Sequence, residues 1–231
     1  MIMFNYALKR GFFSPVALIL NCALPLFLII SMRNADGGIA AEQTLFLVAM
    51  SVMFGGFFMA KGIQNDRIEG VLLRILCGPV TMRDYLFQNL LGAAVPMVGL
   101  TAIISAIGHV LLSWDMTFTI GIFLSYTFLA MSSVGLSFVW SSLFKSKEAS
   151  SGAFGAVMTL ISALSGFMIP LHLMPDFLFY TGALFPAHWA SRAMQIMLDY
   201  GEFTQMFWLS MLAMFLFTVA FILFGAKRRL I

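Results

Sequence analysis

Charge is what this sequence has least of. Only 10% of its 231 residues are Asp, Glu, Lys or Arg, while 61% are hydrophobic. Globular chains average about 25% charged and roughly 45–50% apolar. A soluble domain of this length has too little core for so much apolar surface and too little charge to stay dispersed. Cysteine is almost missing as well. Cys22 falls inside an apolar run and Cys77 in a charged loop, so no structural disulfide is expected. The histidines, His109, His172 and His188, are scattered without metal-ligand spacing to one another or to a cysteine. His-Glu-x-x-His, Gly-x-Ser-x-Gly and a pair of membrane aspartates are all absent, which argues against an intramembrane enzyme. The nearest approach to a phosphate-cradling loop is GGFFMAKGI, which lacks the Gly-x-x-x-x-Gly-Lys-Ser/Thr arrangement. No cofactor or metal is therefore expected on this chain. No linker, charge block or low-complexity stretch divides it, and residues 1–231 read as one membrane domain.

What remains is long hydrophobic runs. Six stretches reach the roughly 20 apolar residues that a hydrocarbon core requires, at 13–32, 43–60, 85–112, 116–144, 149–171 and 205–226. The expected fold is therefore an all-α polytopic membrane protein with six transmembrane helices. With the N-terminus inside, eleven basic residues fall on the cytoplasmic side: Lys9, Arg10, Lys61, Arg67, Arg74, Arg83, Lys145, Lys147, Lys227, Arg228 and Arg229. Only Arg33 and Arg192 fall outside, so the positive-inside rule places both termini in the cytoplasm of a cell membrane. The net charge of +3 then reflects topology and gives no reason to expect nucleic acid as a partner. The first span has a basic flank but no convincing small-residue cleavage site, and is expected to be a retained anchor. The segment before it spaces Phe4, Leu8 and Phe12 near a helical period, which fits either a helix on the inner membrane surface or a frayed end.

The central portions of the six spans hold no ionised residue. Charges that persist at such depth usually carry protons, ions or substrates, so their absence argues against a proton- or sodium-coupled carrier built on buried carboxylates. Pro25 removes the hydrogen bond to the carbonyl of Asn21 and predicts a kink. Asn21 reads as interhelical glue, and Gly55, Gly56, Gly92 and Pro96 as sites of close packing or bending. The fifth run opens EASSGAFGAV, in which Gly152, Gly155 and Ala156 belong to a set of small residues recurring four apart. That spacing suits a helix–helix interface, within one chain or between two. Beyond it, Pro170, Pro175 and Pro186 fence an apolar run too short to cross. A re-entrant hairpin at 172–192 on the outer side keeps the C-terminus inside.

One stretch is unlike the rest: NDRIEGVLLRILCGPVTMRDYL, from Asn65 to Leu86. Ile68, Val71, Leu72, Ile75 and Leu76 recur at i, i+3, i+4, i+7 and i+8, the signature of one helix face. Asp66 is placed to cap this helix, with Glu69 three residues on, and Gly78-Pro79 to end it. Thr81 and Asp84 form a second cap that opens the third span. The predicted helix, 66–77, suits either rest on lipid headgroups or docking to a cytoplasmic protein.

The same stretch resembles the first cytoplasmic loop of ABC-2 type transporter permeases. Arg67-Ile-Glu69-Gly70-Val71-Leu72, then Ile75-Leu76 and Pro79-Val80, follow that family's pattern. A second likeness runs from Ser165-Gly-Phe-Met-Ile-Pro170 through Met174-Pro175 to Pro186 and Arg192, similar to the family's fifth span and outer hairpin. The chain departs at Val71, where threonine is usual, and at Leu73, where an acidic residue is common. The resemblance implies a type V exporter-like fold whose coupling helix docks in a groove of a separate ATP-binding subunit, with Asp66, Arg67, Glu69, Gly70, Leu72 and Arg74 as docking candidates. It further implies two such subunits, carrying ATP and Mg, and a second permease, identical or paralogous. With 25 phenylalanines and 18 methionines, the spans offer an adaptable apolar path. An exporter of an amphipathic or hydrophobic substrate (peptide, drug or lipid-like) is the expectation. An ATP-independent channel or secondary transporter is the alternative.

Overall fold

The structure is a computed structural model that describes residues 2–12, 16, 19–33, 39–78, 80–144, 146–169 and 171–227. Among the described residues every regular element is helical. In chain order they are α1 (Ile2–Phe12), a π-helical turn (Ile19–Ala23) leading into α2 (Leu24–Arg33), α3 (Ile39–Ile68), α4 (Val71–Leu76), α5 (Met82–Leu112) and α6 (Met116–Ser141). Then follow α7 (Lys147–Leu164), a 3-10 turn (Leu171–Leu173), α8 (Asp176–Gly182), α9 (Pro186–Tyr200) and α10 (Gln205–Lys227).

Short polar side chains start the long helices. Thr81 Oγ1 accepts the Asp84 N–H at 3.2 Å to open α5, the cap the sequence predicts. Asp115 accepts the Thr117 N–H at 2.9 Å to open α6, and that bond holds its carboxyl below the usual carboxylate range. Ser146 accepts the Ala149 N–H at 3.1 Å to open α7.

Among the described residues, four helices are long and apolar enough to cross a membrane: Glu42–Ile68 in α3, Asp84–Leu112 in α5, Met116–Ser141 and Gln205–Gly225 in α10. They contain the runs expected at 43–60 and 85–112 and most of those expected at 116–144 and 205–226. The expected first span, 13–32, lies partly outside the described residues; the rest of it forms the π turn and α2, with Ile19–Ser31 a shorter apolar helix. The π turn ends two residues before Pro25, which has no N–H to donate to the Asn21 carbonyl one turn back. The fifth run, 149–171, is interrupted. α7 stops at Leu164 after 18 residues, and Gly166 turns the chain with φ 95°. Pro170 lies outside the described residues.

α6 is the hub, packed on α3, α5, α9 and α10. Its hydroxyls stitch it to its neighbours: Tyr126 donates to the Leu45 carbonyl at 3.1 Å, Ser133 donates to the Met53 carbonyl, and Thr127 pairs with Thr101 at 2.9 Å. Such interhelical bonds average about 0.6 kcal/mol in a membrane. Close approach makes them possible. A Cβ on Gly56 would lie 2.7 Å from Ser133 Oγ, and one on Gly55 would overlap the buried Asn21 amide. α1 is an ordered helix laid against α5, where Gly92 admits Ala7.

The segment expected as a hairpin holds two helices, α8 and α9, that meet at a short corner, 183–185. Pro175 precedes α8 and Pro186 is the first residue of α9, whose fixed φ suits a helix start. The second limb outruns the expected 172–192: it continues to Tyr200 and buries Ala187, His188, Ala190, Ser191, Ala193, Met194 and Met197 against α6, α7 and α10.

Candidate functional site

At the end of the bundle where Lys61, Arg67, Arg74 and Lys147 gather, the chain makes a corner between α3 and α5. The helix expected over 66–77 is divided there. No helix breaker interrupts Gln64–Ile68, so α3 runs through Asp66, which sits inside a helix and does not cap one. Glu69 and Gly70 make the turn. Gly70 has φ 71°, a left-handed conformation that side chains resist, and nothing lies within 4 Å of where its Cβ would be. Backbone geometry therefore explains the glycine. α4 then runs Val71–Leu76 and ends at Cys77, where Gly78 N–H reaches the Ile75 carbonyl at 3.1 Å.

The corner has its own small core. Leu72, 2% exposed, packs with Ile63, Tyr85, Leu86 and Phe138, and Ile75 and Leu76 flank them. This is the apolar face that the 3–4 spacing predicts. Polar contacts fix the corner to three other helices. Tyr85 Oη donates to Asp66 Oδ2 at 2.5 Å, with Asp66 only 6% exposed. Arg67 Nη1 donates to the Ser141 carbonyl at 2.8 Å, tying α3 to the end of α6. Glu69 forms an ion pair with Lys147 in the first turn of α7. Two further bonds repeat that link: Ser150 Oγ donates to Gln64 Oε1 at 3.1 Å, and Lys61 Nζ to Ser151 Oγ at 2.7 Å. An exposed ion pair adds under about 1 kcal/mol, so Glu69–Lys147 orients the corner more than it stabilises it.

The six docking candidates therefore separate by direction. Asp66, Arg67 and Leu72 face inward and hold the corner, and Gly70 shapes it. Glu69 and Arg74 are exposed. Beside Arg74 stands Leu73, 53% exposed, a residue the sequence reading left out of the site although it falls off the apolar face. Leu73, Arg74 and Cys77 make an outward ridge on a helix anchored from behind. Removing the anchor is expected to loosen it: Tyr85→Phe forfeits a hydrogen bond to a buried carboxylate, worth about 1.5–3 kcal/mol, and should lower the thermal midpoint in detergent while Thr81→Val, at an exposed cap, moves it less.

The small residues of α7 lie elsewhere. Gly152 and Ala156 are exposed, Gly155 is half-exposed, and a Cβ on either glycine would meet nothing within 4 Å. No described helix of this chain closes on that face. Pro175 and Pro186 belong to the opposite end, at the starts of α8 and α9. No group of three or more His, Cys, Asp or Glu suited to a metal occurs among the described residues.

Comparison with known proteins agrees with this geometry. No curated protein matches the chain. The family model described as ABC-2 family transporter protein matches residues 22–227, from the π turn to the last residue of α10. Membrane subunits of this family are generally non-catalytic and associate with an ABC ATP-binding subunit. With its membrane-length helices and a match over nearly its whole length, the chain belongs to the ABC-2 transporter family and is a permease subunit of an ABC transporter.

Proposed function

We propose that this permease is the membrane half of an ATP-driven exporter and that the α3–α4 corner is its coupling element. In this reading six spans cross the cell membrane, the remaining two supplied by α2, which is short, and α7, which opens on Lys147 and Glu148, and both termini and the corner face the cytoplasm. α8–α9 re-enters the bilayer from the outer side. ATP and Mg reside on a separate ATP-binding subunit, present in two copies. The observation that carries the reading is the ridge of Leu73 and Arg74 on α4, whose other side packs on α3, α5 and α6, in a corner tied to α7 through Lys61, Gln64 and Glu69. A push on that ridge would move four helices together, as switching between two packed arrangements requires.

The α7 face of Gly152, Gly155 and Ala156 supports a second permease, identical or paralogous, packed there at backbone distance. Gly152→Leu with Gly155→Leu is expected to separate the permeases on native electrophoresis, while Gly152→Ala leaves the fold intact because its Cβ has open space. The substrate in this reading is amphipathic or hydrophobic, a peptide, drug or lipid-like molecule, in keeping with the scarcity of charge along the spans.

Copurification tests the proposal. The tagged chain, coexpressed with its chromosomal neighbours and extracted in mild detergent, should elute with a stoichiometric ATP-binding protein and hydrolyse ATP. Elution alone, without hydrolysis under several mild extractions, would overturn it.

A further inference from the structure

Beneath the hairpin corner lies a cavity of about 260 Å³, enclosed by α6, α7, α9 and α10. Leu184 and Phe185 roof it, Val157 and Phe217 form its sides, and Leu136 and Trp140 line it along α6. α10 packs closely on α6 and α9, whereas α7 only touches them and hardly meets α10, which leaves the bundle loosely closed between α7 and α10. Phe217 also borders a groove of about 350 Å³ that runs between α10 and the hairpin past Leu216 and Trp189. Groove and cavity thus share the Phe217 ring as a common wall, and a small turn of that ring would join them into one apolar track.

The walls decide what fits. Ser132 and Ser133 border the cavity, but both hydroxyls are spent: Ser132 donates to the Leu129 carbonyl at 2.8 Å and Ser133 to the Met53 carbonyl. The Trp140 indole N–H is taken by the Ser150 carbonyl at 3.1 Å. No donor is left over for a headgroup, a sugar or a peptide. An apolar cavity of even about 150 Å³ stays dry and admits hydrocarbon, whereas sites for whole drug-sized ligands run to about 300–1,000 Å³. Because α6 and α10 both have membrane-spanning length and composition, the molecules with access to the gap are those of the bilayer. We infer that the acyl chain of a bilayer lipid lodges in this track, its end under Leu184 and Phe185 and its headgroup outside the bundle. The occupant fills the space between α7 and α10 and supports the hairpin corner from below. This requires no ATP-binding partner and stands apart from the coupling proposal.

The test uses the full chain reconstituted in phosphatidylcholine vesicles, with a trace of phosphatidylcholine carrying a photoreactive diazirine near the end of one acyl chain. After irradiation and digestion, adducts are expected on Trp140, Val157 and Phe217 as well as on Ile103 and Leu212, which are exposed on the outside of the bundle. Val157→Phe and, separately, Leu136→Phe should reduce the Trp140 and Phe217 adducts several-fold and leave those on Ile103 and Leu212 unchanged. Adducts confined to Ile103 and Leu212 in the unmodified chain would overturn the inference. So would cavity adducts that neither filling variant diminishes. Should a variant fail to fold, the adduct distribution of the unmodified chain decides.

Discussion

Replacing Leu73 by Asp and Arg74 by Glu together is expected to release the ATP-binding subunit, with at least a tenfold loss of the copurified protein and of ATP-dependent transport. Both side chains are exposed, and Arg74 has no hydrogen bond or ion pair among the described residues. Neither change disturbs the packing of Leu72, Ile75 and Leu76 behind them, so the permease should keep its thermal midpoint. Arginines that anchor an interface cost about 2 kcal/mol or more on removal, and about 1.4 kcal/mol is tenfold in affinity. Charge reversal adds repulsion wherever the partner presents an acidic surface. Glu69 is a poorer probe, because reversing it would also set two cations together at Lys147. An unchanged yield of ATP-binding protein from the double variant would reject the ridge as the docking surface.

Much of that site is legible in the chain. Within the 3–4 spacing that begins at Ile68, the last residue of α3, Leu72, Ile75 and Leu76 mark the buried face of α4, and by subtraction Leu73 and Arg74 its outer face. Gly78 and Thr81 punctuate the loop where the structure does. Asp66 is different. Asp, then Glu three residues later, is the usual notation for a helix start, yet Tyr85 lies nineteen residues on and claims the carboxylate. A long-range partner of that kind leaves no local mark. The same limit explains α7. ALSGFMIPL is apolar throughout, and hydropathy cannot distinguish a continuing span from a turn in an apolar setting. What ends the helix is Gly166, whose close neighbours are Ser191 of α9 and Leu171, residues brought there by the hairpin.

The break in α7 gives the hairpin its seat, and the seat is steric. A Cβ on Gly182 would lie 2.3 Å from the Leu164 carbonyl oxygen and 3.0 Å from His188 Nδ1. The first of these is backbone, which has no rotamer to yield. Polar adhesion does not compensate: Ser165 Oγ, His188 Nδ1 and Ser191 Oγ are buried at this junction and have no hydrogen-bond partner among the described residues. Gly182→Ala must therefore push α8 off the end of α7, at an overpacking cost of about 1–3 kcal/mol. The expected result is a lower thermal midpoint and loss of transport. Copurification of the ATP-binding subunit should persist, since 18 helical residues of α7, about 27 Å of rise, separate Leu164 from the corner at Lys147. That combination separates the two ends of the protein. If Gly182→Ala instead released the ATP-binding subunit as fully as the Leu73/Arg74 variant, the hairpin would have to be counted part of the fold that presents the corner. Transport at the level of the unmodified chain would mean that α8 moves freely relative to α7, and the tight contact at Leu164 would carry no functional weight.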